Sequence, residues 1–450
     1  MSTFSLVFVA VFGIALLLFL VIVLRLQAFV ALLVSSFVVA MIGGIPPGEI
    51  VDVIQEGMAG TLGYIAIVVG LGTMFGEMLQ VSGGAEQIAD TLVAKSGKDR
   101  VQWALGLTGV IVAIPVFFDV ALILFIPMVY SLARRYGRSL LYYGIPLVAG
   151  IAVAHSFIPP TPGPVAVAAL LGADLGWVIL FGLAAGIPAM IIGGIYFGKF
   201  IAGQIFVEVP EYMEVETPEP KRGGTEKTLS FGMVLAIIAV PLVLILINTL
   251  FTAILPEESP VLAWVSFIGH PFTALLIAAL LAFYFLGKRM GYSLGEIQKF
   301  ATRSLEPVGL IILVTGAGGV FGNVLVETGI GDALADVTAQ TNLPVIVLAF
   351  LIATVVRISQ GSATVSMVTA AGLIAPVVTT VGYSAPMIGA ITIAIACGAT
   401  VLSHVNDSGF WLVSRYFGID EKDTLRSWTV LETILGVVGF LVVLVISLFL

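Results

Sequence analysis

GLGTMFGEMLQVSGGAEQIAD, residues 70–90, returns 246 positions later as TGAGGVFGNVLVETGIGDALAD, residues 315–336. Gly70 pairs with Gly316, Gly72 with Gly318, Phe75-Gly76 with Phe321-Gly322, Gly83 with Gly329, and Ala89-Asp90 with Ala335-Asp336. Small residues are frequent in membrane helices because they let backbones approach, so two glycine-rich helices can match by chance. The direction in which each copy crosses a bilayer separates a repeat from a coincidence, and the basic residues supply it.

The setting is apolar almost throughout. Of 450 residues, 59% are hydrophobic and only 10% are charged, 19 basic and 27 acidic; an ordinary soluble domain carries roughly a quarter. A soluble globule is excluded. Runs of about 20 apolar residues, the length that crosses a hydrocarbon core, recur from Phe4–Leu24 to Leu431–Leu450. A porin-type barrel would need segments half as long and alternating in polarity. The single cysteine, Cys397, excludes a disulfide framework or a cysteine-based metal cluster. The net charge of −8 and the lack of a basic patch argue against nucleic acid as a partner. The first run has no small-residue cleavage pattern and is expected to stay as a transmembrane helix.

The basic residues fall at Arg25; Lys95, Lys98 and Arg100; Arg134, Arg135 and Arg138; Lys199; Lys221, Arg222 and Lys227; Lys288 and Arg289; Lys299 and Arg303; Arg415; Lys422 and Arg426. Only Arg357 lies inside an apolar stretch. With positive charge held on the cytoplasmic side, all the others are cytoplasmic, and the connectors without Lys or Arg near 46–58, 171–176, 254–262, 327–342 and 378–386 lie outside. Spans near 4–24, 27–45 and 59–82 then leave both ends of the apolar stretch 101–138 in the cytoplasm. Such a stretch is expected to be a re-entrant hairpin broken near Pro115 to Asp119. Segments near 139–170 and 177–199 go out and back. The second half repeats the plan in the opposite sense: spans near 229–253, 263–287 and 305–326, a hairpin near 343–378, then spans near 386–414 and 429–450.

The expected fold class is thus all-α: a polytopic membrane protein of two inverted repeats, 1–205 and 229–450, each with five spans and one re-entrant hairpin. A cytoplasmic linker, 206–228, joins them, and both termini lie outside. Inverted repeats with discontinuous helices near the midplane are the plan of a secondary transporter.

Four breaks place polar groups at membrane depth, where a broken helix leaves N–H and C=O groups for a solute or ion. IPVFFDVALILFIP (114–127) holds Asp119, either a proton-carrying carboxylate or one satisfied by a helix N-terminus. HSFIPPTPGPVA (155–166) leads with His155 and Ser156 into four prolines. RISQGSATVS (357–366) sets Arg357 before Gly361, with hydroxyls on Ser359, Ser362, Thr364 and Ser366. Arg357 meets either a substrate anion or a structural partner, Asp119 or Asp407. LSHVNDSGFW (402–411) gathers His404, Asn406, Asp407 and Ser408. The four breaks would form one site for a small polar anion. Protons could be relayed by Asp119, His155, His404 and Asp407, while a sodium ion could use hairpin carbonyls and hydroxyls. The glycine series lacks the strand of a dinucleotide site and the lysine of a phosphate loop, so it reads as helix packing. His270 reads as structural. Neither a cofactor nor a metal site is expected from three scattered histidines.

At these residues the sequence resembles the gluconate permease family of proton symporters, which import gluconate and related sugar acids and have a close D-serine branch. GLGTMFGEMLQVSGGAE (70–86), FFDV (117–120) with Pro127, HSFIPPTPGPVA (155–166), LVTGAGGVFGNVL (313–325), GSATVSM (361–367) and HVNDSGFW (404–411) look like family signatures over almost the whole chain. The resemblance implies an inner-membrane protein, not an enzyme, with scaffold and transport regions, two re-entrant hairpins and a homodimer. Related carboxylate carriers have a Ser-Asn-Thr type triplet at each hairpin tip. Phe117-Phe118-Asp119 replaces the first one here, which favours protons over sodium. Where some relatives have a histidine after the proline pair, this chain has Thr161.

The expected function is symport of gluconate or a close sugar acid with protons by an elevator-like movement. The alternatives are a D-serine or other small carboxylate symporter, sodium-coupled or not, and, in another class, an anion channel. The candidate substrate residues are Arg357, Gly361, Ser362, Thr364, His155, Ser156, Asn406 and Ser408. Asp119, Asp407 and His404 are the proton-coupling candidates. A membrane enzyme would need a nucleophile or metal arrangement that the sequence lacks.

Overall fold

Apolar runs punctuated by proline, glycine and capping side chains set the helices. The computed structural model describes residues 3–210, 229–256, 258–306, 308–329 and 343–450. The protein is an all-α polytopic membrane protein, with eight segments long and apolar enough to cross a bilayer among those residues. In the first part of the chain, α1 (Thr3–Ile22), α2 (Ala28–Gly43) and α3 (Ile50–Val81) precede α4 (Gly84–Ala113). They are followed by α5 (Phe118–Tyr136), α6 (Leu140–Phe157), α7 (Pro162–Leu171) and α8 (Leu175–Gln204). The second part has α9 (Phe231–Ile254), α10 (Pro260–Gly269), α11 (Pro271–Met290), α12 (Leu294–Arg303) and α13 (Val308–Glu327). It ends with α14 (Val345–Gln360), α15 (Ala363–Val381), α16 (Ala385–Gly398), α17 (Ser408–Phe417) and α18 (Glu421–Ser447).

The helices are discontinuous at each of the four polar breaks. α4 gives way to α5 across 114–117, α6 to α7 across 158–161, α14 to α15 at Gly361-Ser362, and α16 to α17 across 399–407. Two further features differ from the sequence expectation. The span expected near 263–287 is split at His270-Pro271, where His270 Nδ1 accepts the Phe272 N–H at 3.3 Å and caps α11. Proline lacks an N–H and favours the first helical turn, so a helix starts there afresh. The short amphipathic α12 follows, held by a capping box between Ser293 and Glu296.

Matching punctuation recurs in the two parts. α5 and α15 have 19 residues each and end on Gly137 (φ +61°) and Gly382 (φ +68°). α7 and α17 have 10 each and end on Gly172 (φ +67°) and Gly418 (φ +64°). α8 starts after Asp174 and α18 after Asp420, the first carboxylate accepting two first-turn N–H groups and the second accepting one. Gly83 and Gly329, paired in the sequence, share a left-handed backbone (φ +76° and +73°). The remaining pairs, Ala89-Asp90 with Ala335-Asp336, have their second members outside the described residues, as does the linker from 211 to 228. The start of that linker is pinned: Ser139 Oγ donates to the Ile205 carbonyl at 3.0 Å and accepts the Val207 N–H at 3.1 Å.

The glycine series works as packing. α3 and α13, which carry the two copies, lie against each other with no room for a side chain at Gly57, beside Val320, or at Gly319, beside Thr61. Asn323 Nδ2 donates to the Val53 carbonyl across this contact at 2.9 Å. From the other side Gly72 meets Pro160, Gly76 meets the Pro115 carbonyl, and Gly318 meets Val368. The glycines therefore seat α3 and α13 directly on the broken elements, where backbone contact replaces the side-chain layer.

Candidate functional site

The starts of α5, α15 and α17 and the ends of α6 and α14 converge on a cavity of about 190 Å³, completed by Trp428 and Glu432 of α18. That space equals the share of about six waters in the liquid. Three helix N-termini bring orphan N–H groups and the positive end of the backbone dipole to one place, which favours an anion. The aromatic tip between α4 and α5 sits on the neighbouring breaks: the Phe117 ring lies 6.2 Å from His155 and the Phe118 ring 5.3 Å from Trp428.

Arg357 is the centre of the charge arrangement. It is 2% exposed and its Nη2 donates to Asp407 Oδ2 at 2.6 Å, while Nε and Nη1 have no partner. A guanidinium carries five donors in a planar fork suited to carboxylates, so one acceptor leaves most of that capacity unmet. Asp407 is fully engaged. Its Oδ2 also accepts from Ser403 Oγ at 2.5 Å, and its Oδ1 accepts the Gly409 N–H at 3.2 Å as the cap of α17. Ser403 in turn accepts from Trp428 Nε1 at 2.7 Å, and its carbonyl accepts from Thr429 Oγ1. These bonds tie residues 403–409, the end of α14 and the start of α18 into one cluster.

The chain matches the GntP family permease pattern over residues 4–449. It belongs to the GntP permease family. It is 43% identical over 442 residues, 98% of each chain, to a low-affinity gluconate transporter of Escherichia coli (strain K12). To the inner membrane permease YgbN of the same strain it is 41% identical over 451 residues, again 98% of each. The YdaH transporter of Alcanivorax borkumensis shares the fold, with a TM-score of 0.63, 14% identity and 90% of each chain covered.

In this GntP permease, eight of the eleven residues singled out in the sequence line the cavity: Asp119, His155, Ser156, Arg357, Ser362, Thr364, Asp407 and Ser408. The other three shape its edge. His404 Nε2 and Asn406 Nδ2 both lie on the Ile358 carbonyl, at 3.0 and 2.9 Å, while the Asn406 backbone presses on Gly361. Gly361 has φ +81°, and a Cβ there would lie 2.6 Å from the Asn406 carbonyl carbon. Ser359 and Ser366 bond to their own helices, to the Val355 and Ser362 carbonyls. Thr161 Oγ1 donates to the Ile158 carbonyl at 2.7 Å within the break between α6 and α7. Glu432 was not among the sequence candidates. The signal for it was present, since it is the only charged residue from Ser427 to Leu450.

Proposed function

We propose that this permease imports gluconate or a closely related sugar acid together with protons across the inner membrane, by elevator-like alternating access. The buried Arg357, with two nitrogens unpartnered beside the cavity, carries the proposal. Unmet donors on a buried guanidinium are costly, and an anion entering the cavity would satisfy them. The substrate carboxylate meets Arg357 and the helix N-termini, while Ser156, Ser362, Thr364, Ser408 and His155 recognise its hydroxyls. The gluconate transporter and inner membrane permease among the relatives support both substrate and location. In this proposal α4–α5 and α14–α15 are the re-entrant hairpins of two inverted repeats. The recurring glycine and aspartate caps support this, and the map of basic residues supports outside termini and a cytoplasmic linker. A homodimer follows the wider group that the sequence resembles.

The test is uptake of labelled gluconate by reconstituted protein under an imposed proton or sodium gradient, with sugar acids, D-serine and dicarboxylates as competitors. Accumulation driven by an acidic exterior and blocked by sugar acids is expected, with Arg357→Gln losing at least about 100-fold in uptake, the scale of one charge-assisted bond pair. Accumulation that follows sodium alone, or an Arg357→Gln variant with normal affinity, overturns it.

A further inference from the structure

Three carboxylates line the cavity, and their surroundings differ. Asp407 is ion-paired and caps α17, and Asp119 is exposed at the start of α5. Glu432 is 4% exposed, and its Oε1 has no hydrogen-bond partner. It stands one turn after Trp428, so both face the cavity from α18. The ionisable groups that share this cavity with it are Arg357 of α14, Asp407 before α17, His155 of α6 and Asp119 of α5. Tyr196 of α8 lies with Thr433 and Ile434 on another part of α18, and Cys397 of α16 packs two turns along at Gly439.

We infer that Glu432 is the proton-binding residue of transport: its carboxylate takes one proton when the substrate anion enters the cavity and returns it when the substrate leaves. This rests on the anion-symport function proposed above. The balance of charge explains the choice. Arg357 and Asp407 neutralise each other in every state. An ionised Glu432 with no substrate and a protonated Glu432 with a substrate carboxylate leave the cavity with the same net charge. An ionised Glu432 with the substrate present would put a second negative charge in one buried space whose guanidinium is already shared by Asp407 and the substrate, which low polarity penalises. Asp407 cannot exchange a proton so simply, because protonation would remove its ion pair with Arg357 and weaken the bonds it accepts from Ser403 and the Gly409 amide.

Glu432→Gln, which imitates the protonated form, is tested beside the wild type and Glu432→Asp in proteoliposomes. With one proton per monoanion, a gradient of one pH unit holds about tenfold accumulation, which the wild type should approach. Glu432→Gln is expected to exchange labelled for unlabelled gluconate at a rate independent of pH, with an accumulation ratio near unity. Glu432→Asp should keep coupling with a displaced pH profile. Proton-driven accumulation by Glu432→Gln at the wild-type level overturns the inference, as does a monodisperse Glu432→Gln that neither binds nor exchanges gluconate while Glu432→Asp is equally inactive. A wild type that does not accumulate gluconate under the gradient refutes the proposed function instead.

Discussion

Gly76 and Gly322 occupy the same place in the two copies of the repeat, yet alanine is expected to act differently at each. A Cβ at Gly76 would lie 2.9 Å from the carbonyl carbon of Pro115 and closer still to its oxygen. Carbon atoms rest at 3.5–4.0 Å, so the break between α4 and α5 would have to retreat by about 1 Å. At Gly322 the nearest atom to the added Cβ is the Gly372 carbonyl oxygen at 3.4 Å, an ordinary contact. Overpacking against backbone typically costs about 1–3 kcal/mol, and a displacement of about 1 Å at a site can cost on the order of 100-fold in rate. Gly76→Ala should therefore lower the melting temperature and reduce initial gluconate uptake between tenfold and 100-fold, by way of the Phe117-Phe118 tip that leans on His155 and Trp428. Gly322→Ala should stay within about twofold of the wild type, since its methyl group meets only normal contact. Both variants are measured by thermal unfolding in detergent and by uptake in the same vesicles. Equal losses at the two positions, or none at Gly76, would falsify the claim that close backbone approach governs this contact.

Two further outcomes are expected. Gly361→Ala combines a left-handed backbone, unfavourable by roughly 1–2 kcal/mol for a residue with a Cβ, with overlap on Asn406. It should abolish gluconate binding in calorimetry, whereas normal binding would show that the tip tolerates both. Glu296, fully exposed on α12, has its carboxyl held below the usual range because it accepts the Ser293 N–H and hydroxyl. A depressed folded-state value means that the cap stabilises α12 above the ordinary glutamate range and is lost as the pH falls through the lowered value. Hydrogen exchange at residues 294–298, corrected for intrinsic rates, should rise on acidification in the wild type and already be high at pH 7 in Glu296→Ala; identical protection in both would contradict the role of this cap.

The breaks were legible because each carries its own chemistry in the sequence. Proline pairs, Gly361 and clustered polar residues interrupt apolar runs that would otherwise continue, and the helices stop there. The partner of Arg357 was legible only as a choice between two aspartates. It is Asp407, fifty positions away, because the break before α17 needs a capping side chain at the point where α14 ends. His404 and Asn406 are candidates by residue type, and the structure sets both against the Ile358 carbonyl. Gly361 has no side chain to keep the Asn406 backbone away, and such a contact between separate breaks leaves no periodic trace. Glu432 is marked in the sequence only as a lone charge in the last apolar run, with nothing to show which way it faces. Packing of α18 against the 403–409 cluster buries it. The split at His270-Pro271 had a local signal, a proline after a capping residue, but the apolar run on either side outweighed it.

The cluster around Asp407 also bears on how such a site can evolve. Arg357, Asp407 and Trp428 of the cavity lining are held, with Ser403 and Thr429 behind them, by shared bonds in which each depends on another member, so a change in one leaves others stranded. Thr364 brings a hydroxyl into the cavity from the start of α15 without joining that set. A change at Thr364 therefore alters the lining of the cavity without stranding a member of that set.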